Sequence, residues 1–240
     1  MPSELLDQTI VILGGSAGIG LETARRARAA GAKLILTARQ AEPLARAARE
    51  LDAFRTAAFD ATDASSLQSF FGDLPGEIDH VMVTAGGPHY GRILETPSEE
   101  ARAGLTKHLM LAIEVSRCAV GKVRPGGSLT FMSGTGSRRP RIGLGIASTA
   151  VAAFPALIAN LALELAPIRV NSIAPGFVDT GLSASILGDA LNARRDELRA
   201  TLPIRRVIGP ADVAALAVHV MSNTALTGST YDIDGGQQLL

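Results

Sequence analysis

The chain has a single cysteine, Cys118, in 240 residues. No internal disulfide can form, which suits a reducing compartment, and a cytoplasmic location is expected. Tryptophan is absent, and aromatic residues make up only 4% of the chain, with two tyrosines and seven phenylalanines. An excess of either charge is missing too: 23 basic residues cancel 23 acidic ones, and the pI is ≈ 6.9. That balance argues against nucleic acid or an anionic membrane surface as partner. No uninterrupted apolar run reaches the ~20 residues of a membrane span. The nearest candidate, 142–168, is broken by Pro155, Asn160, Glu164 and Pro167. The opening MPSELLDQ lacks the basic-then-apolar pattern of a secretory signal, and no set of metal ligands is assigned.

What the chain does have is 47% hydrophobic residues, enough for one sizeable core. Short β-rich runs alternate with longer amphipathic runs along its whole length, so 1–240 reads as a single domain. Strands are expected at 9–15, 33–39, 54–60, 80–86, 128–134, 168–176 and 229–236. Several have continuous apolar centres, as strands buried on both faces should. Helices are expected near 18–30, 41–51, 63–73, 98–122, 147–165, 189–200 and 210–222. Parallel strands need crossovers of about a dozen residues, and most gaps supply them. The inferred class is α/β: a doubly wound parallel sheet of about seven strands with helices on both faces. Segment 177–208 is longer than a simple connection and is read as a helical flap on the substrate side.

The first strand runs directly into GGSAGIG (14–20) and then into the helical LETARRARAAG. Glycines at such a turn let backbone N–H groups approach a pyrophosphate at a helix N-terminus. Gly14, Gly15, Ser16, Gly18, Ile19 and Gly20 are therefore read as cofactor-binding. The second strand ends at Arg39 in LTAR, with no acid there. An acid at this place suits the ribose of NAD(H), and an arginine suits a 2′-phosphate, so NADP(H) is expected in preference to NAD(H).

GGSAGIG (14–20), FDATD (59–63), VTAGG (83–87), LALELAP-IRVNSIAPGFVDT (161–180) and YDIDGG (231–236), in this order, resemble the short-chain dehydrogenase/reductase family over essentially the full chain. The resemblance implies a Rossmann-type fold and a nicotinamide dinucleotide. By it, Asp60 contacts the adenine with Ala61 beside it, and Ala85 and Gly86 lie along the adenine-side ribose. Pro175, Gly176, Val178 and Thr180 belong to the nicotinamide and pyrophosphate end. The family's habit of pairing through its long helices implies a homodimer or homotetramer. The small-residue run Ala147, Ala150, Ala152, Ala153 and Ala156 suits such a contact.

The family's chemistry uses a tyrosine as proton donor and, four residues later, a lysine that lowers its pKa. By the resemblance those places fall at Ala147 and Val151, the serine place at Gly134, and an asparagine place near His108. A shifted alignment does not restore the pair. The only tyrosines are Tyr90 and Tyr231, the only lysines are Lys33, Lys107 and Lys122, and no Tyr-x3-Lys exists. A phenol alone is a poor acid–base group at pH 7. Replacement candidates are His108, Ser133, His89 and Tyr90, with imidazole favoured for its titration range. Each also has a bland reading as a satisfied or surface side chain. SRRPR (137–141) suits an anionic substrate group, or a solvated loop or subunit contact, which is the commoner case. Pro155 is expected to bend the helix 147–165 or to make it start later. Two functions follow from the residues. One is an NADP(H)-dependent oxidoreductase acting on a small carbonyl, alcohol or enone substrate with a non-standard proton donor. The other is a catalytically silent NADP(H)-binding sensor or partner subunit.

Overall fold

The computed structural model describes residues 4–240. Seven strands form one parallel sheet in the order β3-β2-β1-β4-β5-β6-β7. They are β1 (Thr9–Leu13), β2 (Lys33–Ala38), β3 (Arg55–Ala58), β4 (Ile78–Val83), β5 (Val123–Met132), β6 (Arg169–Pro175) and β7 (Thr230–Ile233). Helices connect them: α1 (Gly18–Ala29), α2 (Ala41–Leu51), α3 (Ala64–Gly72), α4 (Ser98–Ala119), α5 (Gly145–Ala152), α6 (Phe154–Glu164), α7 (Gly181–Leu187), α8 (Leu191–Thr201) and α9 (Pro210–Ser222).

Two apolar layers hold the helices to the sheet. On one face, Val11, Val81, Leu129 and Val170 pack under Phe70 and Phe71 of α3, Leu111 and Val115 of α4, and Phe154 and Ile158 of α6. On the other, Ile10, Ile12 and Leu34 pack under Ala24 and Ala27 of α1, Leu44 of α2 and Val213 and Ala217 of α9. This is why the strand centres are apolar on both sides. Between β1 and β4 the strand order reverses, and the C-terminal strand edge there opens a crevice.

Local chemistry sets several boundaries. Asp63 starts α3 by accepting the Ser66 N–H at 2.8 Å. Asp212 accepts the Gly209 N–H at 2.9 Å at the start of α9, with Pro210 in the first turn. At the far end of α9 the Arg169 guanidinium, only 6% exposed, donates to the carbonyls of Val220, Met221, Asn223 and Leu226. It lies where the helix C-terminus presents unpaired carbonyls.

The structure differs from the expected elements in three places. β5 begins at Val123, not 128, because Pro125-Gly126-Gly127 is absorbed as an irregularity in the pairing with β4. A Cβ on Gly127 would collide with the Asp79 carbonyl oxygen, so glycine is required by this close approach. The helix expected at 147–165 is two helices broken at Ala153, with Pro155 in the first turn of α6. A proline there does not remove a bond from the helix it begins, and it prevents α5 from continuing. The flap contains a helix, α7, ahead of the one expected at 189–200.

Gly145–Glu164 is the one helical stretch among the described residues long and apolar enough to cross a membrane by length and composition. Its inner residues Ile146, Ala150, Phe154, Ile158 and Leu161 are packed in the protein. Ala152, Ala156, Ala159 and Leu163, spaced as one helical stripe, face outward.

Candidate functional site

The site grows from the turn after β1. Gly14 and Gly15 donate their N–H groups to the Thr37 carbonyl at 2.9 Å, while Thr84 and Ala85 donate to Leu13 at 2.9 Å. The turn is thereby locked to β2 on one side and to the end of β4 on the other. Gly14 has φ +98°, and a Cβ on it would stand 2.6 Å from Thr84 Oγ1. A Cβ on Gly20 would collide with the Gly14 carbonyl oxygen. These two glycines allow the backbone to fold on itself. Gly18 differs: at φ +53° its nearest neighbour is Thr180 Cγ2 at 3.7 Å, across open space.

The N-terminus of α1 faces that space. Ala17 provides no side-chain cap and the first turn carries no acid, so neither satisfies its exposed N–H groups nor opposes its positive end. Such an end is suited to phosphate. Ser16 borders it, half-buried. Gly15 is pressed against Leu36, and Ile19 packs into the core under α1, so those two present only backbone to the crevice.

Arg39 lies exposed just past β2. Asp60 follows β3, with Oδ1 accepting the Thr62 N–H at 2.9 Å and the Thr62 hydroxyl at 2.8 Å. Those hydrogen bonds, with help from the charges of Lys107 and Arg39, hold its carboxyl below the usual carboxylate range. Ala61 is buried in the core and offers only backbone. Beyond β4, Ala85 leans on the core and Gly86 stands at φ +83° beside Leu111 and His108. At the end of β6, Pro175 leads to Gly176, and Val178 is buried beside Ile208. Thr180 Oγ1 accepts the Ser183 N–H at 3.2 Å and so starts α7. The fifteen residues read as cofactor-binding thus lie at or just beyond the C-terminal ends of β1, β2, β3, β4 and β6.

The candidate proton donors are less uniform. His108 Nε2 donates to the Met132 carbonyl at 2.9 Å, and its ring stacks on Phe154 at 4.5 Å between centroids. Its Nδ1, left as an acceptor, faces Gly86. Burial pushes this imidazole below its ordinary pKa. His89 and Ile146 of α5 both lie against Gly104 of α4. The Tyr90 phenol is pushed up by burial, with no neighbouring cation offsetting the shift. Ser133 follows β5, and among the described residues its hydroxyl has no hydrogen-bond partner. Val151 Cγ1 lies 4.0 Å from where a Cβ on Gly134 would stand, so those two positions face each other. Ser148 Oγ donates to the Gly136 carbonyl at 2.9 Å. Ala147 lies on α5, half-buried.

Two of the three arginines of the run bond the chain itself. Arg138 donates to Asp232 and to Gln238 Oε1, the latter at 2.6 Å, and Arg139 donates to the Gln237 carbonyl at 3.1 Å. Gln237 is a residue the sequence reading missed. Its Oε1 accepts the Phe177 N–H at 2.8 Å, and it occupies the space a Cβ on Gly176 would need. The available signal was the polar pair following YDIDGG. No group of acidic, His or Cys side chains that could hold a metal occurs among the described residues.

A family model described as enoyl-(acyl carrier protein) reductase matches residues 14–238. An uncharacterised oxidoreductase of Mycobacterium tuberculosis is 32% identical over 249 aligned positions, covering 96% of this chain and 92% of that protein. The chain belongs to the short-chain dehydrogenase/reductase family. A small-chain dehydrogenase solved in complex with NADPH superposes with a TM-score of 0.83 at 27% identity, covering 98% and 100% of the two chains. A short-chain dehydrogenase/reductase from Brucella melitensis gives a TM-score of 0.89 at 24% identity, covering 98% of each chain, which speaks to the fold. This short-chain dehydrogenase/reductase thus has the oxidoreductase fold and nicotinamide crevice of its family. Yet neither of its tyrosines is followed within ten residues by a lysine.

Proposed function

We propose that the protein is a single-domain, cytoplasmic, NADP(H)-dependent oxidoreductase acting on a carbonyl, alcohol or enone without a tyrosine–lysine pair. The observation that carries this reading is the open, uncapped N-terminus of α1 behind Gly14, Gly18 and Gly20, with Arg39 rather than an acid beyond β2. Gly14–Gly20 and Thr180 would hold the pyrophosphate, Arg39 the 2′-phosphate, Asp60 to Ala61 the adenine, Ala85 and Gly86 the ribose, and Pro175 to Val178 the nicotinamide end. The bound nucleotide supplies hydride. The chain's own residues orient the acceptor and exclude water. The free Ser133 hydroxyl hydrogen-bonds the substrate oxygen, and His108 Nδ1 orients a single water that passes a proton from bulk solvent to that oxygen and is reprotonated by solvent. His89 and Tyr90 shape the mouth. Loss of general-acid help lowers rates by roughly 10²–10⁴-fold and leaves an activated substrate reducible.

A second reading has its own support. Gly134 and Val151 face each other, and neither they nor Ala147 can exchange protons, which suits a silent NADP(H) sensor or partner subunit. Titration with NADPH and NADH, read by nucleotide fluorescence, tests the shared premise; equal affinity for both would remove Arg39 from its role. The readings separate in the triple variant Gly134→Ser/Ala147→Tyr/Val151→Lys. On the oxidoreductase reading, wild type turns over activated enones and the triple variant reduces ketones at least about 10²-fold faster. A wild type silent across an enone panel, with tight NADPH binding, favours the sensor.

A further inference from the structure

After β7 the chain makes one more turn, and Asp234 builds it. This carboxylate, only 6% exposed, accepts the Gly236 N–H at 2.9 Å through Oδ1 and the Gln238 N–H at 2.9 Å through Oδ2. The Asp234 carbonyl accepts the Gln237 N–H at 3.1 Å. Gly235 and Gly236 stand at φ +64° and +83°, and a Cβ on them would meet Ile204 and Pro203, which follow α8 in the flap. Segment 234–238 is thus a strap whose shape is held by its own hydrogen bonds and by the flap above it.

The strap also reaches two loops at the C-terminal edge of the sheet. Toward the loop after β5, Arg138 donates to Gln238 Oε1 at 2.6 Å and Arg139 to the Gln237 carbonyl at 3.1 Å. Toward the loop after β6, Gln237 Oε1 accepts the Phe177 N–H at 2.8 Å. The same oxygen lies 2.5 Å from where a Cβ on Gly176 would stand, so the side chain presses on both residues of that loop. Among the described residues no other acceptor takes the Phe177 N–H. An N–H can only donate, so the amide oxygen of Gln237 must face it. The Phe177 ring is met by Arg194 of α8, whose guanidinium carbon lies 6.0 Å from the ring centroid. Gly176 and Phe177 belong to the segment Pro175 to Val178, assigned above to the nicotinamide end. Arg39 and Asp60, assigned to the adenosine end, follow β2 and β3, at the opposite side of the sheet from β7.

We propose that Gln237 is a positioning residue for the nicotinamide half of the cofactor. It holds the Gly176–Phe177 backbone, through the Phe177 N–H, in the conformation that receives that half, and it does not touch the cofactor itself. The assignment rests on the NADP(H) reading above, and it can be measured without turnover. Gln237→Met keeps the length of the side chain and its packing on Gly176 but removes the acceptor. Gln237→Glu keeps an acceptor oxygen at the same reach. Wild type and each variant are titrated by calorimetry with NADPH and with adenosine 2′,5′-bisphosphate, which has the adenine, ribose and 2′-phosphate but no nicotinamide. Gln237→Met should bind NADPH at least about fivefold more weakly, as fits the loss of one hydrogen bond, and the bisphosphate as wild type does. Gln237→Glu should bind both ligands within about twofold of wild type. Should the methionine variant fail to fold, Gln237→Asn, which withdraws the oxygen by one methylene, should reproduce its split between the two ligands. Unchanged NADPH affinity in the acceptor-deficient variant overturns the proposal. So does an equal loss toward both ligands, the result expected of a purely structural side chain. A wild type with affinity for neither ligand is a different failure: it removes the NADP(H) reading and this assignment with it.

Discussion

At the scale of single residues, the glycines of one turn have different jobs, and substitution should separate them. Gly20→Ala drives a methyl group into the Gly14 carbonyl, which is backbone and cannot move aside. A loss of at least about 2 kcal/mol is expected, read as a lower denaturant midpoint. Gly18→Ala meets nothing closer than 3.7 Å. It bears only the ~1–2 kcal/mol of a left-handed non-glycine residue, so it should fold. Its methyl group would stand in the crevice, and NADPH affinity should fall at least about tenfold by fluorescence titration. His80 gives a second residue-scale expectation. It is 2% exposed, its Nε2 donates to Gln8 Oε1 at 2.7 Å, and its Nδ1 accepts the Ser128 hydroxyl at 2.8 Å. Burial, reinforced by Arg169, lowers its pKa from 6.5 to about 4. As pH falls below 6.5 the unfolded chain takes up this proton before the folded one does. The stabilisation is therefore complete above pH 6.5 and decays toward pH 4, by about 3 kcal/mol in all. Urea melts at pH 7 and pH 4.5 should show that part of the acid sensitivity missing in His80→Gln.

At the scale of elements, Arg169 joins β6 to the end of α9 with no carboxylate partner. Removing it leaves the Val220, Met221 and Asn223 carbonyls without that donor, while Leu226 keeps Asn171 Nδ2 at 2.8 Å. Arg169→Met should lower stability by about 3–5 kcal/mol in urea denaturation, a loss typical of a broken buried ionic contact. Substituting Arg206, whose pairing with Asp212 is exposed, should change little in the same measurement. Elements are also where sequence reading is strongest. Periodicity placed all seven strands and the main helices, because each buries a face set by its own spacing. It missed the break at Ala153: the apolar pattern runs through both α5 and α6, and Pro155 predicts a bend without saying on which side the helix restarts. It began the fifth strand only at 128, whereas the structure carries Pro125-Gly126-Gly127 within the strand, where Gly127 closely approaches the Asp79 carbonyl.

At the scale of the whole molecule, the outward stripe Ala152, Ala156, Ala159 and Leu163 sits on two helices that are otherwise core. A homo-oligomer packed through this stripe is the arrangement we propose, in keeping with the family. Sedimentation of wild type at micromolar concentration should give a dimer or larger species, and Leu163→Asp should shift it to monomer with its melting curve still cooperative. A monomeric wild type would remove the stripe from that role. The crevice is likewise a property of the whole sheet, since its walls come from the ends of β1, β2, β3, β4 and β6. The residues proposed to hold the cofactor could be named from the sequence because glycine turns and strand ends carry local signatures. The state of His108 and of the arginine run was not, because it depends on partners on other elements.

The sequence alone determined the alternation of strands and helices, the glycine turn, the missing acid after β2 and the want of any tyrosine–lysine pair. Each of these is a matter of residue type and short spacing. Only the tertiary structure decided that Arg138 reaches Gln238, 100 residues away, and that His108 is anchored to Met132. Local propensity acts over a few residues, whereas these contacts exist only once the sheet has brought distant strand ends to a common edge.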